Sequence, residues 1–164
     1  MVRPMSEPAG PRALIIVPTY NERGNVEEVV RHFLPPLPGG ELLFVDDNSP
    51  DGTGELLDEL AARDPRVHVL HRPGKLGLGT AYLDGFRWGL ARGYDYLFEM
   101  DADFSHDPSY LPALYERAVA GADMVIGSRY VAGGGTRNWG VGRKLISRGG
   151  RGGGGGGGVG LGCG

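Results

Sequence analysis

Short apolar runs alternate along this chain with segments whose apolar residues recur at helical spacing, and that alternation leaves few folds open. Residues 13–17 (ALIIV) form a continuous β-branched run closed by Pro18, the pattern of a strand buried on both faces. Val26, Val29, Val30, Phe33 and Leu34 then share one side of a helix over 25–34, with Asn25 and Glu28 placed as an amide version of the capping box. Residues 41–45 (ELLFV) predict a second strand, and Leu56, Leu57, Leu60 and Ala61 a second helix that ends before Asp64 and Pro65. A third strand is expected over 66–70. A glycine-rich entry over 74–79 leads to a third helix with Tyr82, Phe86, Gly89 and Leu90 on one side, followed by a fourth strand over 94–98. Pro108 can start a fourth helix carrying Leu111, Leu114, Tyr115, Ala118 and Val119, and 123–127 reads as a fifth strand. Strands and helices in strict alternation predict an α/β domain: a mainly parallel sheet, right-handed crossovers, and helices on both faces.

Composition sets the limits of that domain. Residues 1–12 read as a flexible leader and 13–148 as the folded domain. From 149 to 164 the chain has twelve glycines in sixteen residues, too little apolar surface to offset backbone entropy, so this stretch is expected to be a disordered tail. Its abrupt onset suggests a flexible linker or an end read in a shifted frame. A net charge of −3 gives no electrostatic case for binding nucleic acid, whose partners carry basic stripes. The only cysteine, Cys163, lies in the tail, which leaves neither a disulfide framework nor a cysteine metal site and fits a reducing, cytoplasmic compartment. No apolar run approaches the ~20 residues that span a bilayer, while attachment to a membrane surface stays open.

The chemistry concentrates in EMDADFSHDP at 99–108. Asp101 and Asp103 flank one small residue directly after the fourth strand, so they emerge at the carboxyl edge, where open α/β sheets bind ligands. Carboxylate oxygens suit Mg²⁺ or Mn²⁺, whose shell is commonly completed by water and substrate phosphates. For an isolated D-x-D a solvated acidic loop is the better reading, and context must decide.

That context is supplied by the loops after the first two strands, 18–22 (PTYNE) and 46–53 (DDNSPDGT), which collect at the same edge. An aspartate there can accept from a base N–H or ribose hydroxyls, and Tyr20 can line a base pocket. Asp51, Gly52 and Thr53 read as turn and cap residues, and Asp46 can cap its own loop. Asp47 together with Asp101 and Asp103 is harder to dismiss, because three carboxylates at one edge repel unless a cation or a donor-rich ligand compensates. Two other phosphate motifs are excluded. Gly74-Lys75 is followed by Leu76 where a P-loop needs Ser or Thr, and Gly77-Leu78-Gly79 by Tyr82 where a dinucleotide fingerprint needs Gly.

Six segments in this order resemble the nucleotide-sugar-dependent glycosyltransferases of family 2, specifically the dolichol- or polyprenol-phosphate mannosyltransferases: VPTYNE (17–22), VDDNSPDGT (45–53), GKLGLGTAY (74–82), EMDADFSHDP (99–108), GSRYVAGGGTRNW (127–139) and RKLISRG (143–149). The resemblance implies the glycosyltransferase A-type, Rossmann-like fold, a GDP-mannose donor, a polyprenyl or dolichyl phosphate acceptor, and peripheral attachment at the cytoplasmic face of a membrane. By position it implies guanosine contacts at Pro18, Tyr20, Glu22, Val45 and Asp47. Asp101, Ala102 and Asp103 match the ribose, diphosphate and metal site, with Asp103 the direct ligand and Arg129 a basic donor contact. Asp103 and Arg129 are thus the catalytic candidates. Arg143, Lys144 and Arg148 are candidates for the acceptor phosphate, with a solvated helix face as the equal alternative. Two other readings stay open, a family 2 enzyme using another nucleotide sugar and an inactive nucleotide-binding module, because the family pattern is lost from Gly150 onward.

Overall fold

The computed structural model describes residues 11–127 and 159–161, and the chain divides into two compact units, Met1–Ser105 and His106–Gly164. The first unit holds β1 (Ala13–Thr19), α1 (Val26–Phe33), β2 (Glu41–Asp46), α2 (Thr53–Arg63), β3 (Val67–His71), α3 (Leu78–Ala91) and β4 (Tyr96–Glu99). Its four strands pair in the order β3-β2-β1-β4, all parallel. Every strand therefore ends at the same edge. The α/β expectation holds, with helices on both faces.

Side-chain parity separates the two faces. Leu14, Ile16, Leu43 and Val45 point to one side and form a buried cluster with Ala81 of α3, against which Tyr82, Phe86 and Leu97 pack. Leu57 and Phe44 are fully buried on the other side, where α2 lies against β2 and β3 and α1 against α2. A Cβ at Gly54 of α2 would stand 3.3 Å from an Asp46 oxygen and 3.4 Å from the His71 ring, which fixes α2 closely over the ends of β2 and β3.

Several local expectations need correction. β1 does not stop at Pro18 but runs through it to Thr19. Ile16 accepts from Met100 N on the β4 side and Thr19 accepts from Asp47 N on the β2 side, so Pro18, sharing Ile16's parity, turns its missing N–H toward the side where β4 has already ended. The Asn25 capping box does not form. Asn25 makes no side-chain cap bond; its Nδ2 donates to Glu22 Oε2 at 2.6 Å, while Glu28 pairs with Arg31 and His32. In α3 the buried stripe is Ala81, Gly85 and Gly89, and Leu90 is 66% exposed. The small residues win because they let the helix come closest: a Cβ at Gly85 would be 2.5 Å from Ile16 Cγ2, and one at Gly89 would be 2.7 Å from Leu97 Cδ2.

The amino edge is closed by an interlocked group. Glu41 Oε2 accepts from Tyr94 OH at 2.7 Å and meets His68 Nε2 at 2.6 Å, and the Arg12 guanidinium lies 4.1 Å from the Tyr94 ring centre. Trp88 packs between His68 and Tyr94 and carries Arg92 on its face.

The second unit contains a 3₁₀ turn (Pro108–Tyr110), α4 (Leu111–Val119), β5 (Val125–Gly127) and β6 (Val159–Leu161). Asp107 accepts from Ser109 N at 2.9 Å and caps the turn that Pro108 starts. β6 departs from the expected disordered tail: these three residues pair in parallel with β5, and the rest of the glycine-rich segment lies outside the described residues. No helix among the described residues is long and apolar enough to cross a membrane.

Candidate functional site

Because the four strands are parallel, the loops after β1, β2, β3 and β4 meet at one edge, the position where open α/β sheets bind ligands. Two of these loops turn through left-handed asparagines, Asn21 at φ 57° and Asn48 at φ 54°, a conformation that asparagine tolerates better than most residues. They are tied together. Asn21 N donates to Ser49 Oγ at 3.0 Å, and Glu22 N donates to Thr53 Oγ1 at 3.1 Å.

The second loop is held from within by Asp46, as its reading as a loop cap anticipated. Asp46 is buried and accepts from Thr19 Oγ1 at 2.8 Å, Ser49 Oγ at 2.7 Å and Ser49 N at 3.1 Å. Asp51 likewise serves the turn, accepting from Thr53 N at 3.0 Å and Arg23 N at 3.3 Å. Its carboxyl is held below the ordinary range chiefly by the Thr53 hydroxyl.

Asp47 is 6% exposed and paired with a residue that the sequence reading missed, Arg72. Arg72 Nε stands 2.8 Å from Asp47 Oδ1, yet neither atom makes an aligned hydrogen bond, so this contact is Coulombic. Arg72 Nη2 and Leu76 N reach Asp47 Oδ2 at 3.5 and 3.4 Å. Thr80 Oγ1, 3.1 Å from both Arg72 amino groups, and Asp84, 3.4 Å away, fix the guanidinium from α3. Asp47 therefore needs neither a cation nor a donor-rich ligand to offset its charge, because Arg72 already does. Arg72 directly follows β3, so the rule that drew attention to the loops after the other strands reaches it too.

Asp101 follows β4 by two residues, and Tyr82 of α3 donates to its Oδ1 at 2.9 Å. Burial, then the charge of Asp101 and its hydrogen bond, and then the charges of Glu99 and Asp103, push the Tyr82 phenol far up, so it stays protonated and remains a donor. Asp103 is exposed and its Oδ1 accepts from Ser105 N at 2.9 Å and from the Ser105 hydroxyl. The next residue, Phe104, has φ 58°, a strained conformation for a bulky side chain; its ring is held edge-on by Phe33 at 5.6 Å and His32 at 6.0 Å. That packing fixes the direction in which the loop leaves Asp103. No periodicity in the sequence signals it.

The remaining expected positions divide by burial. Tyr20 is 37% exposed at the edge, with Lys75 Nζ 4.4 Å from its ring centre. Pro18 is half-buried at the end of β1, and the Glu22 carboxylate is held by Asn25. Val45 and Ala102 are buried, so their side chains serve the core and only their backbone is suited to meet a ligand. Arg129, Arg143, Lys144 and Arg148 lie outside the described residues.

Among the described residues no group of three His, Cys, Asp or Glu side chains assembles a metal cage. The donor set of Asp101 and Asp103 instead fits a hard cation that takes its other ligands from water and a diphosphate. The edge thus combines a buried acidic anchor at Asp47 with a pair of carboxylates beyond β4.

Comparison with known proteins shows the family of this chain. The model of the family described as "Glycosyl transferase family 2" matches residues 14–156. The polyprenol monophosphomannose synthase of Mycolicibacterium smegmatis is 56% identical over 138 residues, 84% of this chain and 52% of that protein. The undecaprenyl-phosphate mannosyltransferase of Micrococcus luteus is 57% identical over 136 residues, 83% of this chain and 56% of that protein. The dolichol-phosphate mannosyltransferase of Pyrococcus furiosus is 45% identical over 137 residues, 82% of this chain and 38% of that protein. This chain therefore spans about half the length of the first two relatives. Among solved structures, a mannosyltransferase from Pyrobaculum calidifontis in complex with GDP-Man and Mn²⁺ matches the fold with a TM-score of 0.53 at 24% identity, over 71% of this chain and 35% of that one. That likeness agrees with the expected glycosyltransferase A-type architecture. The chain belongs to glycosyl transferase family 2.

Proposed function

We propose that this chain carries the donor-binding half of an inverting mannosyltransferase that moves mannose from GDP-mannose to a polyprenyl monophosphate. The observation that carries the reading is the convergence of Asp47, Asp101 and Asp103 on one parallel-sheet edge, in a chain 56–57% identical to relatives named for mannosyl transfer to polyprenyl phosphates. Asp47, with Pro18, Tyr20 and Glu22, takes the guanosine end of the donor. Its carboxylate oxygens are the acceptor type that base N–H groups require, and Arg72 Nε stands 2.8 Å from one of them. Asp101 and Asp103 hold Mg²⁺ or Mn²⁺, which when bound offsets the charge of the diphosphate. By their places in the family pattern, Arg129 is assigned to the same leaving group and Arg143, Lys144 and Arg148 to the acceptor phosphate.

The acceptor explains why no general base is needed. A phosphomonoester is already anionic at neutral pH, so the protein has to orient it and screen its charge rather than remove a proton. Its oxygen attacks the anomeric carbon in line, the bond to GDP breaks, and the configuration inverts. A lipid-borne acceptor places the protein at a membrane surface, on the cytoplasmic face where nucleotide sugars are met.

Transfer of labelled mannose from GDP-mannose to a polyprenyl phosphate in detergent or vesicles tests the proposal, with UDP-glucose as the competing donor. Preference for UDP-glucose would redirect the reading to another family 2 activity. Metal-dependent GDP binding without transfer would restrict this chain to donor binding.

A further inference from the structure

No ligand contact is assigned to the segment 74–82, yet its side chains and backbone reach both halves of the site, Leu76 and Thr80 beside Asp47 and Arg72 and Tyr82 beside Asp101. α3 runs back from the carboxyl edge across β1 and β4. Its glycines bring it so close that a Cβ at position 85 would overlap Ile16 and one at position 89 would overlap Leu97 and Leu14. Tyr82, one helical turn before Gly85, packs its ring against the cluster of Leu14, Ile16, Leu43 and Val45 and sends its hydroxyl beyond the strands to Asp101 Oδ1, 2.9 Å away. A side chain needed only for packing would not have to bring a phenolic oxygen to that carboxylate.

We propose that Tyr82 is the positioning residue for Asp101: its hydroxyl holds the carboxylate in the rotamer that receives the divalent cation and the donor diphosphate. The inference rests on the donor-site reading given above. Tyr82 touches neither sugar nor phosphate and acts through Asp101, as partners of metal-binding carboxylates do elsewhere; replacing such partners commonly lowers metal affinity by ~10–100-fold. By occupying one of the lone-pair directions of Oδ1, the hydroxyl constrains the orientation of the carboxylate plane.

The test is titration of GDP in the presence of Mn²⁺ and in EDTA, with guanosine as a ligand that lacks the diphosphate. Tyr82→Phe keeps the ring and removes only the hydroxyl. It is expected to reduce the Mn²⁺-dependent gain in GDP affinity by ~10-fold or more, while guanosine affinity and the unfolding midpoint stay at wild-type values. In an Asp101→Asn background, where the carboxylate is already lost, adding Tyr82→Phe should cause no further loss. A Tyr82→Phe protein with the wild-type Mn²⁺ effect would overturn the inference alone. Equal losses of guanosine and Mn²⁺–GDP affinity would also overturn it, because they mark a packing role. Absence of any Mn²⁺ effect in the wild-type chain would overturn both the inference and the donor-site reading beneath it.

Discussion

Replacing Arg72 by methionine removes a guanidinium that neutralises a carboxylate the fold has already taken out of water. The side chains of Arg72 and Asp47 are 3% and 9% exposed, so the remaining Asp47 charge would be left buried and uncompensated. Breaking a buried pair from one side commonly costs about 3–5 kcal/mol, whereas a pair at the surface is worth about 1 kcal/mol or less. The close Nε–Oδ1 contact is not an aligned hydrogen bond, which puts this pair at the lower end, about 3 kcal/mol. Asp84 changes little in that balance, since it is 37% exposed and 3.4 Å from the guanidinium. With a urea m-value of about 2 kcal/mol/M, the midpoint should fall by about 1.5 M.

The assay is urea unfolding of four proteins: wild type, Arg72→Met, Asp47→Asn, and the double variant. If the cost is a stranded charge, removing that charge as well should restore much of the lost stability, so the double variant should be more stable than Arg72→Met. A fall of less than about 1 kcal/mol in Arg72→Met would refute the assignment of a buried pair. So would additive losses in the double variant, because they would mean that Arg72 contributes packing and hydrogen bonds to Thr80 rather than charge.

Three further outcomes are expected. Gly85→Ala sets a Cβ at 2.5 Å from the fully buried, β-branched Ile16, and the overpacking penalty of about 1–3 kcal/mol should exceed the ~1 kcal/mol gained in helix propensity; unchanged or raised thermal stability would contradict this. Asp103→Ala should abolish the Mg²⁺ or Mn²⁺ dependence of GDP-mannose binding, measured by titration with and without EDTA, and retention of that dependence would remove Asp103 from the metal site. Burial alone would push the Glu41 carboxyl up, but hydrogen bonds from Tyr94, His68 and Arg12 outweigh it and hold the pKa below its ordinary 4.5. A lowered folded-state pKa gives stability that is present above the unfolded value and lost as pH falls through the folded one, so unfolding midpoints should drop below about pH 4.5. Glu41→Gln should flatten that dependence, and an unchanged acid limb would show that other carboxylates govern it.

The sheet was legible because its strands are buried on both faces, which forces continuous apolar runs at β1 and β2, and because crossover helices impose helical spacing between them. Boundaries were less so. Pro18 looked like a strand end, yet a proline is harmless where the neighbouring strand has run out, a fact of pairing rather than of local sequence. Leu90 looked like a core residue by periodicity, but the stripe of Ala81, Gly85 and Gly89 sets which side of α3 meets the sheet. At the site, Asp47, Asp101 and Asp103 were legible as acids placed directly after strands. Their partners were less so: Arg72 shares the place directly after a strand, but nothing in the sequence pairs it with Asp47, and Tyr82 carries the same signal as any aromatic on a helix.

The difference has a physical origin. A loop at a sheet edge can place a carboxylate by sequence alone, because the strand before it fixes where the chain leaves the sheet. Asp103 is held within its own loop by Ser105, but for the other two the holding groups come from α3 or the loop leading into it: Leu76, Thr80 and Asp84 through or beside Arg72 for Asp47, and Tyr82 for Asp101. That reach depends on the close approach given by the glycines of α3, which lack side chains and so cost helical stability while contributing no contact of their own. The residues that look least informative on the helix are therefore the ones that set the distance over which its polar side chains act. A substitution at Gly85 should accordingly be felt at the sheet edge as well as in the core.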